Sequence, residues 1–319
     1  MNLQNIKLNG RHYIDESHVY FYNGGSGFSF KIDGSGFIIG FKSLPVEGYF
    51  YIIVDHNYNK KVKVSTLDKE YKYSFDYKGV HFVDIVKANE ANDNVFELMK
   101  LEFDGELLDF DESYNGVVKV FGDSTIAGFG VLEKTGFASV HNSDSIRDFC
   151  YHALYELGMD IDILSASGYG LAFSAYTNPK TIGIYDYLDR VAVNQHIEWQ
   201  DRSKTDLIIV SLGCNDNSFI QEERNKEDRI DEYNLKLKRL IDLVSKGDTS
   251  IRILMVYGTL NEESAYYLYE QAYEKLKPYY HNLHIHKFNG DSSAISNHAY
   301  VDAHDLMAEE LKKVILEII

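Results

Sequence analysis

Residues 117–131 read VVKVFGDSTIAGFGV. A short apolar run, Val117–Phe121, stops at Gly122-Asp123-Ser124 and passes into glycine-rich chain. Runs of this compact kind suit strands covered on both faces, and three more follow: Ile161–Leu164, Leu207–Leu212 and Ile251–Tyr257. Between them lie helical periods. Ile230, Tyr233, Leu237, Leu240, Ile241 and Val244 keep an i, i+3, i+4, i+7 stripe, with Gly247 placed to end the helix. A second stripe, Met307, Leu311, Val314, Ile315 and Ile318, closes the chain. Alternating strand and helix imply an α/β domain whose parallel sheet is flanked by helices.

Upstream the period changes from helical to alternating. Tyr71, Tyr73, Phe75 and Tyr77 fall on one face with polar residues between them, and short runs recur at 49–54, 61–65, 80–86 and 95–103. Gly24–Gly27 (GGSG) and Asp33–Gly36 (DGSG) read as turns between short strands. Many short strands without a helical period argue for a β-sandwich or jelly roll. The expected division is 1–112 for this all-β domain and 113–319 for the α/β domain, with the boundary in the acidic stretch 109–116.

At 319 residues with 45% hydrophobic content, the chain has material for two cores. A formal net charge of −17 disfavours nucleic acid and anionic membrane surfaces as partners. Two cysteines, Cys150 and Cys214, are too few for a disulfide framework and read as reduced, buried thiols. No h-region opens the sequence and no apolar run approaches the ~18 residues of a membrane span. The expectation is a cytoplasmic protein, although a secreted one with its leader removed would read the same.

Functional groups in an open α/β sheet gather where loops leave the carboxyl ends of strands. Phe121–Thr125 (FGDST), Ser165–Gly170 (SASGYG) and Leu212–Ser218 (LGCNDNS) follow three successive predicted strands, and SNHAYVDAH, 296–304, precedes the last helix. Each alone is an ordinary turn or cap; their joint occurrence at strand ends is far more specific. Acyl transfer needs a nucleophile, a base and oxyanion donors. Ser124 is the candidate nucleophile and His298 the candidate base. The backbone N–H groups of Ser124 and Gly168 and the side-chain amide of Asn215 are the candidate donors. A glycine at 168 would bring a peptide N–H to the substrate without a Cβ in the way. Asp123 and Asp216 are read as ordering their loops. His284 and His286 share a strand face, but no cysteine or neighbouring carboxylate completes a metal set. There is no Gly-Lys-Ser/Thr phosphate cradle, so neither metal nor nucleotide cofactor is expected.

The same residues carry a family resemblance. Gly122-Asp123-Ser124, Gly168, Gly213-x-Asn215-Asp216 and the late His298 resemble the four blocks of the SGNH (GDSL) hydrolases, which implies a flavodoxin-like α/β/α sandwich and cofactor-free ester hydrolysis. Residues 10–41, IYDYLDR (184–190) and HAYVDAHDLMAEEL (298–311) resemble the carbohydrate esterases of family two, in which a jelly roll precedes the SGNH domain. The resemblance implies a serine esterase removing acetyl groups from a carbohydrate. The alternatives are a carbohydrate O-acetyltransferase using the same site and a catalytically degenerate carbohydrate-binding protein. Sugar faces stack on aromatic rings, so Tyr169 and Phe219 are candidate substrate contacts, with Phe173 and Tyr176 in the same loops.

The sequence departs from the superfamily at the acid. Asp three residues before the histidine is replaced by Ile295, Asp two residues before it by Ser296, and the following Pro by Ala299. Three readings stay open: Asp291 as a displaced triad acid, a Ser124–His298 dyad oriented by a backbone carbonyl, or a degenerate site.

Overall fold

The computed structural model describes residues 3–201, 204–260 and 262–319. Two sheets organise them. The first is antiparallel, from β1 (Ile6–Asn9), β2 (His12–Ile14), β3 (Val19–Phe21), β4 (Gly27–Leu44), β5 (Gly48–Val54), β6 (Asn57–Val64), β7 (Lys69–Lys87) and β8 (Val95–Leu108). Its order is β2-β3-β8-β4-β7-β5-β6, with β1 also paired to β4. On β7 the alternation seen in the sequence holds for Tyr71, Tyr73 and Phe75, each less exposed than its neighbours, whereas Tyr77 is exposed.

The DGSG segment is not a turn. Asp33–Gly36 lies inside the single 18-residue strand β4, where the pairing with both β7 and β8 shifts register between Gly34 and Gly36. Gly34 faces Gly79 on one side and Gly105 on the other. A Cβ at Gly34 would stand 2.5 Å from the Asp104 carbonyl oxygen, and one at Gly36 would stand 2.2 Å from that of Tyr73. These glycines let three strands crowd at a bulge and bend together. The ring contacts measure the bend: Phe30 and Phe37 of the same strand have centroids 5.2 Å apart, whereas seven residues of straight strand would separate them by roughly 23 Å. One bent sheet thus covers itself and encloses a core of Phe28, Phe30, Phe37, Phe41, Phe50 and Phe96. The GGSG segment, in contrast, is the turn expected, between β3 and β4.

The second sheet is parallel: β9 (Val117–Gly122), β10 (Asp160–Ser165), β11 (Leu207–Ser211), β12 (Arg252–Tyr257) and β13 (Leu283–Lys287), in the order β10-β9-β11-β12-β13. Helices α1 (Phe149–Glu156) and α5 (Val301–Ile318) pack on one face, and α2 (Cys214–Glu222), α3 (Lys226–Ser245) and α4 (Tyr266–Leu276) on the other. Alternation along β11 explains why its run is continuously apolar: Leu207 and Ile209 join the α1/α5 core, Ile208 and Val210 the α3/α4 core. Tyr233, Leu237, Leu240 and Ile241 form the buried stripe of α3, and the chain turns left-handed at Lys246, one residue before Gly247. This is the expected α/β/α sandwich behind an all-β unit. Ile53 and Val86 of the antiparallel sheet, with Ala88 just beyond it, share the α1/α5 core, so the two sheets are packed together through it.

Cys150 is buried and Cys214 only partly so; neither is in a disulfide. His286 pairs with Glu310 through Nε2 at 2.8 Å. Among the described residues no helix is long and apolar enough to cross a membrane.

Candidate active site

The strand order reverses on either side of β9, and at such a switch point the loops diverge and leave a crevice. The loops after β9, β10 and β11 bring Ser124, Gly168 and Asn215 to that crevice, and the segment before α5 brings His298. All four line one cavity of about 890 Å³.

Ser124 follows β9 in a tight turn. Asp123 Oδ1 accepts the Thr125 N–H at 3.0 Å, and the carbonyls of Asp123 and Ser124 accept from Ala127 and Phe129 at 3.0 Å each. Asp123 is buried, and burial pushes its carboxyl up to about 6. It faces its own turn and has no contact with the imidazole, consistent with a loop-ordering role.

His298 Nε2 lies 2.7 Å from Ser124 Oγ. Its Nδ1 lies 3.2 Å from the Ile295 carbonyl oxygen and 3.1 Å from that of Ser296. Carbonyl oxygens only accept, so Nδ1 carries the proton, Nε2 is bare, and the Ser124 hydroxyl donates to it. Two consecutive left-handed residues, Ser296 (φ 53°) and Asn297 (φ 61°), fold the chain so that these carbonyls reach the ring. The Ile295 side chain is buried and packs on Gly130. The position where the superfamily has an acid therefore supplies a main-chain acceptor instead. Burial lowers the imidazole pKa below 6.5, with the two carbonyl contacts opposing. His304 is buried on α5, where Nδ1 accepts the Phe149 N–H at 3.1 Å.

Asp291 does not reach His298. Its Oδ1 accepts from the Ser293 and Tyr300 N–H groups at 3.2 and 3.3 Å, and its Oδ2 from the Ser293 hydroxyl at 3.0 Å. The displaced-acid reading is thereby corrected: the carboxylate is engaged by its own loop, and the nitrogen it would have oriented is already occupied.

Gly168 adopts φ +83°. A Cβ there would meet only Tyr176, at 3.5 Å, so glycine is required for the left-handed backbone rather than for room. Neither the Ser124 nor the Gly168 N–H donates to a protein acceptor among the described residues. The Asn215 amide donates to the Tyr169 carbonyl at 3.0 Å, which leaves its second N–H. The loop 168–173 is held by Asp216: Oδ2 accepts from Leu171 at 2.7 Å, and Oδ1 from Ala172 and Phe173 at 2.8 and 2.9 Å. Burial pushes Asp216 up to about 6 against those three donors.

The aromatic expectation needs correction. Tyr169 is 4% exposed and its hydroxyl donates to Asn194. Phe219 is 6% exposed and stacks on Phe173 at 4.6 Å. Both are core residues: Tyr169 stands where its loop turns inward, and Phe219 lies on the buried face of α2. The ring at the cavity mouth is Tyr176, 87% exposed, and Phe129 lies 5.1 Å from the His298 ring inside it. Leu260 and Glu262 complete the far wall, and no motif in the sequence marked them.

The architecture is an α/β/α sandwich joined to an all-β unit, the fold that the SGNH resemblance implies. Residues 8–110 match the family model described as carbohydrate esterase 2 N-terminal. No sequence among curated proteins matches the chain. Solved structures agree with the resemblance. A family two carbohydrate esterase from Clostridium thermocellum, as an active-site mutant, superposes with a TM-score of 0.87 at 19% identity over 99% of this chain and 100% of that one. The acetyl xylan esterase from the rumen bacterium Butyrivibrio proteoclasticus gives 0.86 at 14% identity, over 99% and 96% of the two chains. A salicylyl acyltransferase from a tetracycline biosynthetic pathway gives 0.71 at 13%, over 99% and 96%. The N-terminal unit thus matches the carbohydrate esterase 2 N-terminal model, and the whole chain shares the fold of those esterases.

Proposed function

We propose that the protein is a serine esterase that removes acetyl, or another small acyl group, from a carbohydrate hydroxyl. The observation that carries this reading is the 2.7 Å contact between Ser124 Oγ and His298 Nε2, with Nδ1 held by two carbonyls. Ser124 attacks the ester carbonyl while His298 takes its proton. The oxyanion is received by the Ser124 and Gly168 N–H groups and the free N–H of Asn215. The imidazolium returns its proton to the leaving sugar oxygen and an acyl-enzyme remains. Water, deprotonated by His298, then releases the acid. The main-chain carbonyls fix the tautomer that an Asp fixes in a triad. The exposed ring of Tyr176 at the mouth supplies a face for a pyranose. Likeness to esterases of carbohydrate, and the residue 8–110 family match, support sugar as the substrate class.

Hydrolysis of a chromogenic acetate ester and of an acetylated oligosaccharide by the wild type and Ser124→Ala tests the reading. Loss of the nucleophile is expected to lower kcat by at least about a thousandfold. Equal rates for the two proteins would end it, and leave a sugar-binding role. The acyltransferase alternative keeps the same acyl-enzyme and gains support from the shared fold with a salicylyl acyltransferase. Product analysis with an added acceptor sugar decides between them: free acetate marks the hydrolase, acylated acceptor the transferase.

A further inference from the structure

The loop between β7 and β8 leaves the antiparallel unit and reaches the catalytic crevice. It carries Glu90 and Asp93 and follows Lys87, the last residue of β7, and Lys87 and Glu90 are buried. Lys87 Nζ donates to the Glu90 carbonyl at 3.2 Å and also to that of Asn89. Asn89 accepts the Tyr49 N–H at 2.8 Å and donates to the Val140 carbonyl at 2.9 Å. The Ala88 carbonyl accepts the Ser145 N–H at 2.8 Å. The loop is therefore fixed to both units at its base.

Its tip grips one residue. Glu90, 4% exposed, accepts the Ser167 N–H on Oε2 at 2.7 Å. Asn92 Nδ2 reaches the Ser167 carbonyl oxygen at 3.5 Å. That carbonyl belongs to the peptide whose N–H is that of Gly168. In a trans peptide C=O and N–H point in opposite directions. A hold on the Ser167 carbonyl from the antiparallel unit therefore sets the direction in which the Gly168 N–H points, and the hold on its N–H stops the residue from swinging. Burial, then the neighbouring charge of Asp93, push the Glu90 carboxyl up to about 7, against the Ser167 hydrogen bond. A buried carboxyl at such a position is costly to keep, and an apolar latch between the two units would avoid that cost.

We propose that Glu90, assisted by Asn92, is a positioning residue that aims the Gly168 N–H at the developing oxyanion, so that the β-sandwich is a working part of the active site. This rests on the esterase reading above. An incorrectly aimed donor lowers kcat and leaves ground-state binding alone. A latch that merely joins the units would lower thermal stability with no selective effect on kcat.

The test compares kcat, KM and Tm for wild type, Ser124→Ala, Glu90→Ala, Glu90→Gln and Asn92→Ala on a nitrophenyl acetate. Glu90→Ala is expected to lower kcat at least ~10-fold with KM unchanged. Glu90→Gln, whose amide oxygen can still accept, restores kcat to within ~3-fold, and Asn92→Ala costs ~3-fold or more without change in Tm. If Glu90→Ala does not fold, the exposed Asn92 position and the Gln variant decide. Unchanged kcat in Asn92→Ala together with a Glu90 loss that follows Tm would overturn the proposal while the esterase reading stood. A wild type no faster than Ser124→Ala would instead remove the esterase reading itself, and this proposal with it.

Discussion

The two walls of the crevice are held by different chemistry. On the side of the proposed oxyanion donors, buried carboxylates grip the main chain: Asp216 takes three N–H groups of the loop 171–173, and Glu90 takes the N–H of Ser167. On the side of the proposed base no carboxylate among the described residues is bonded to the imidazole, and two carbonyl oxygens lie against its Nδ1. The difference follows from what each wall must present. An oxyanion cradle offers bare N–H groups, and a loop with N–H groups turned one way needs anions behind it to satisfy the rest. A histidine base needs only its tautomer fixed, and any acceptor at Nδ1 achieves that.

The largest expected effect tests the anionic wall. Asp216→Asn keeps one oxygen, which can hold Ala172 and Phe173, but sets an NH2 group against the Leu171 N–H that now lies 2.7 Å from Oδ2. A buried donor left facing a donor costs about 1–3 kcal/mol of stability. The loop shifts with it, so kcat is expected to fall about tenfold, since small displacements of positioned groups cost that order in rate. Steady-state kinetics with a melting curve check both. A variant with wild-type kcat would show that the cradle does not depend on this carboxylate.

A smaller effect sharpens the base side. As the proposed base, His298 must be neutral to act, and burial holds its pKa below 6.5. A carboxylate partner would raise it. The acid limb of kcat/KM is thus expected below pH 6.5, with activity lost as pH falls through it. Asp123 and Asp216, each pushed up to about 6 by burial, gain protons in the same window. The limb is therefore expected to be steeper than one proton. A pH profile of kcat/KM with a midpoint above 7 would mean that a carboxylate orients the ring in solution.

What the sequence revealed tracks what side chains alone encode. The compact runs at β9–β12 and the stripes of α3 and α5 were legible, since burial on two faces or one leaves a period in residue type. That Ser124, Gly168, Asn215 and His298 would meet at one crevice was legible because each motif sits at a strand end or just before the last helix. The bend of β4 was misread as a turn, because the same Gly-Ser-Gly chemistry serves a hairpin and a bulge; only the partner glycines Gly79 and Gly105 distinguish them, and they lie 45 and 71 residues further on. Of the rings weighed as sugar contacts, Tyr169 and Phe219 were singled out but are buried while Tyr176 is exposed, since sequence position near the sheet edge says nothing about which ring turns inward. An orienting carbonyl was one of the open readings, because no acid stands at Ile295 or Ser296, but which carbonyls reach Nδ1 left no trace, every residue having one.

Asp291 provides the finest test of the contrast between the walls. Its three acceptor contacts all close the turn that leads into His298. Removing them loosens that turn without taking a partner from the imidazole. Asp291→Ala is accordingly expected to cost about 1 kcal/mol of stability, the net worth of an ordinary hydrogen bond or two. That lowers Tm by about 1–2 °C in a chain of 319 residues. The kcat stays within about threefold of wild type, because Nδ1 keeps both carbonyls and the 2.7 Å contact to Ser124 is untouched. A triad acid would behave otherwise. Its loss would cost orders of magnitude in kcat at unchanged Tm, as expected when the wrong tautomer is populated. The ratio of the two effects, rate against stability, therefore separates a carboxylate that shapes the loop from one that orients the base.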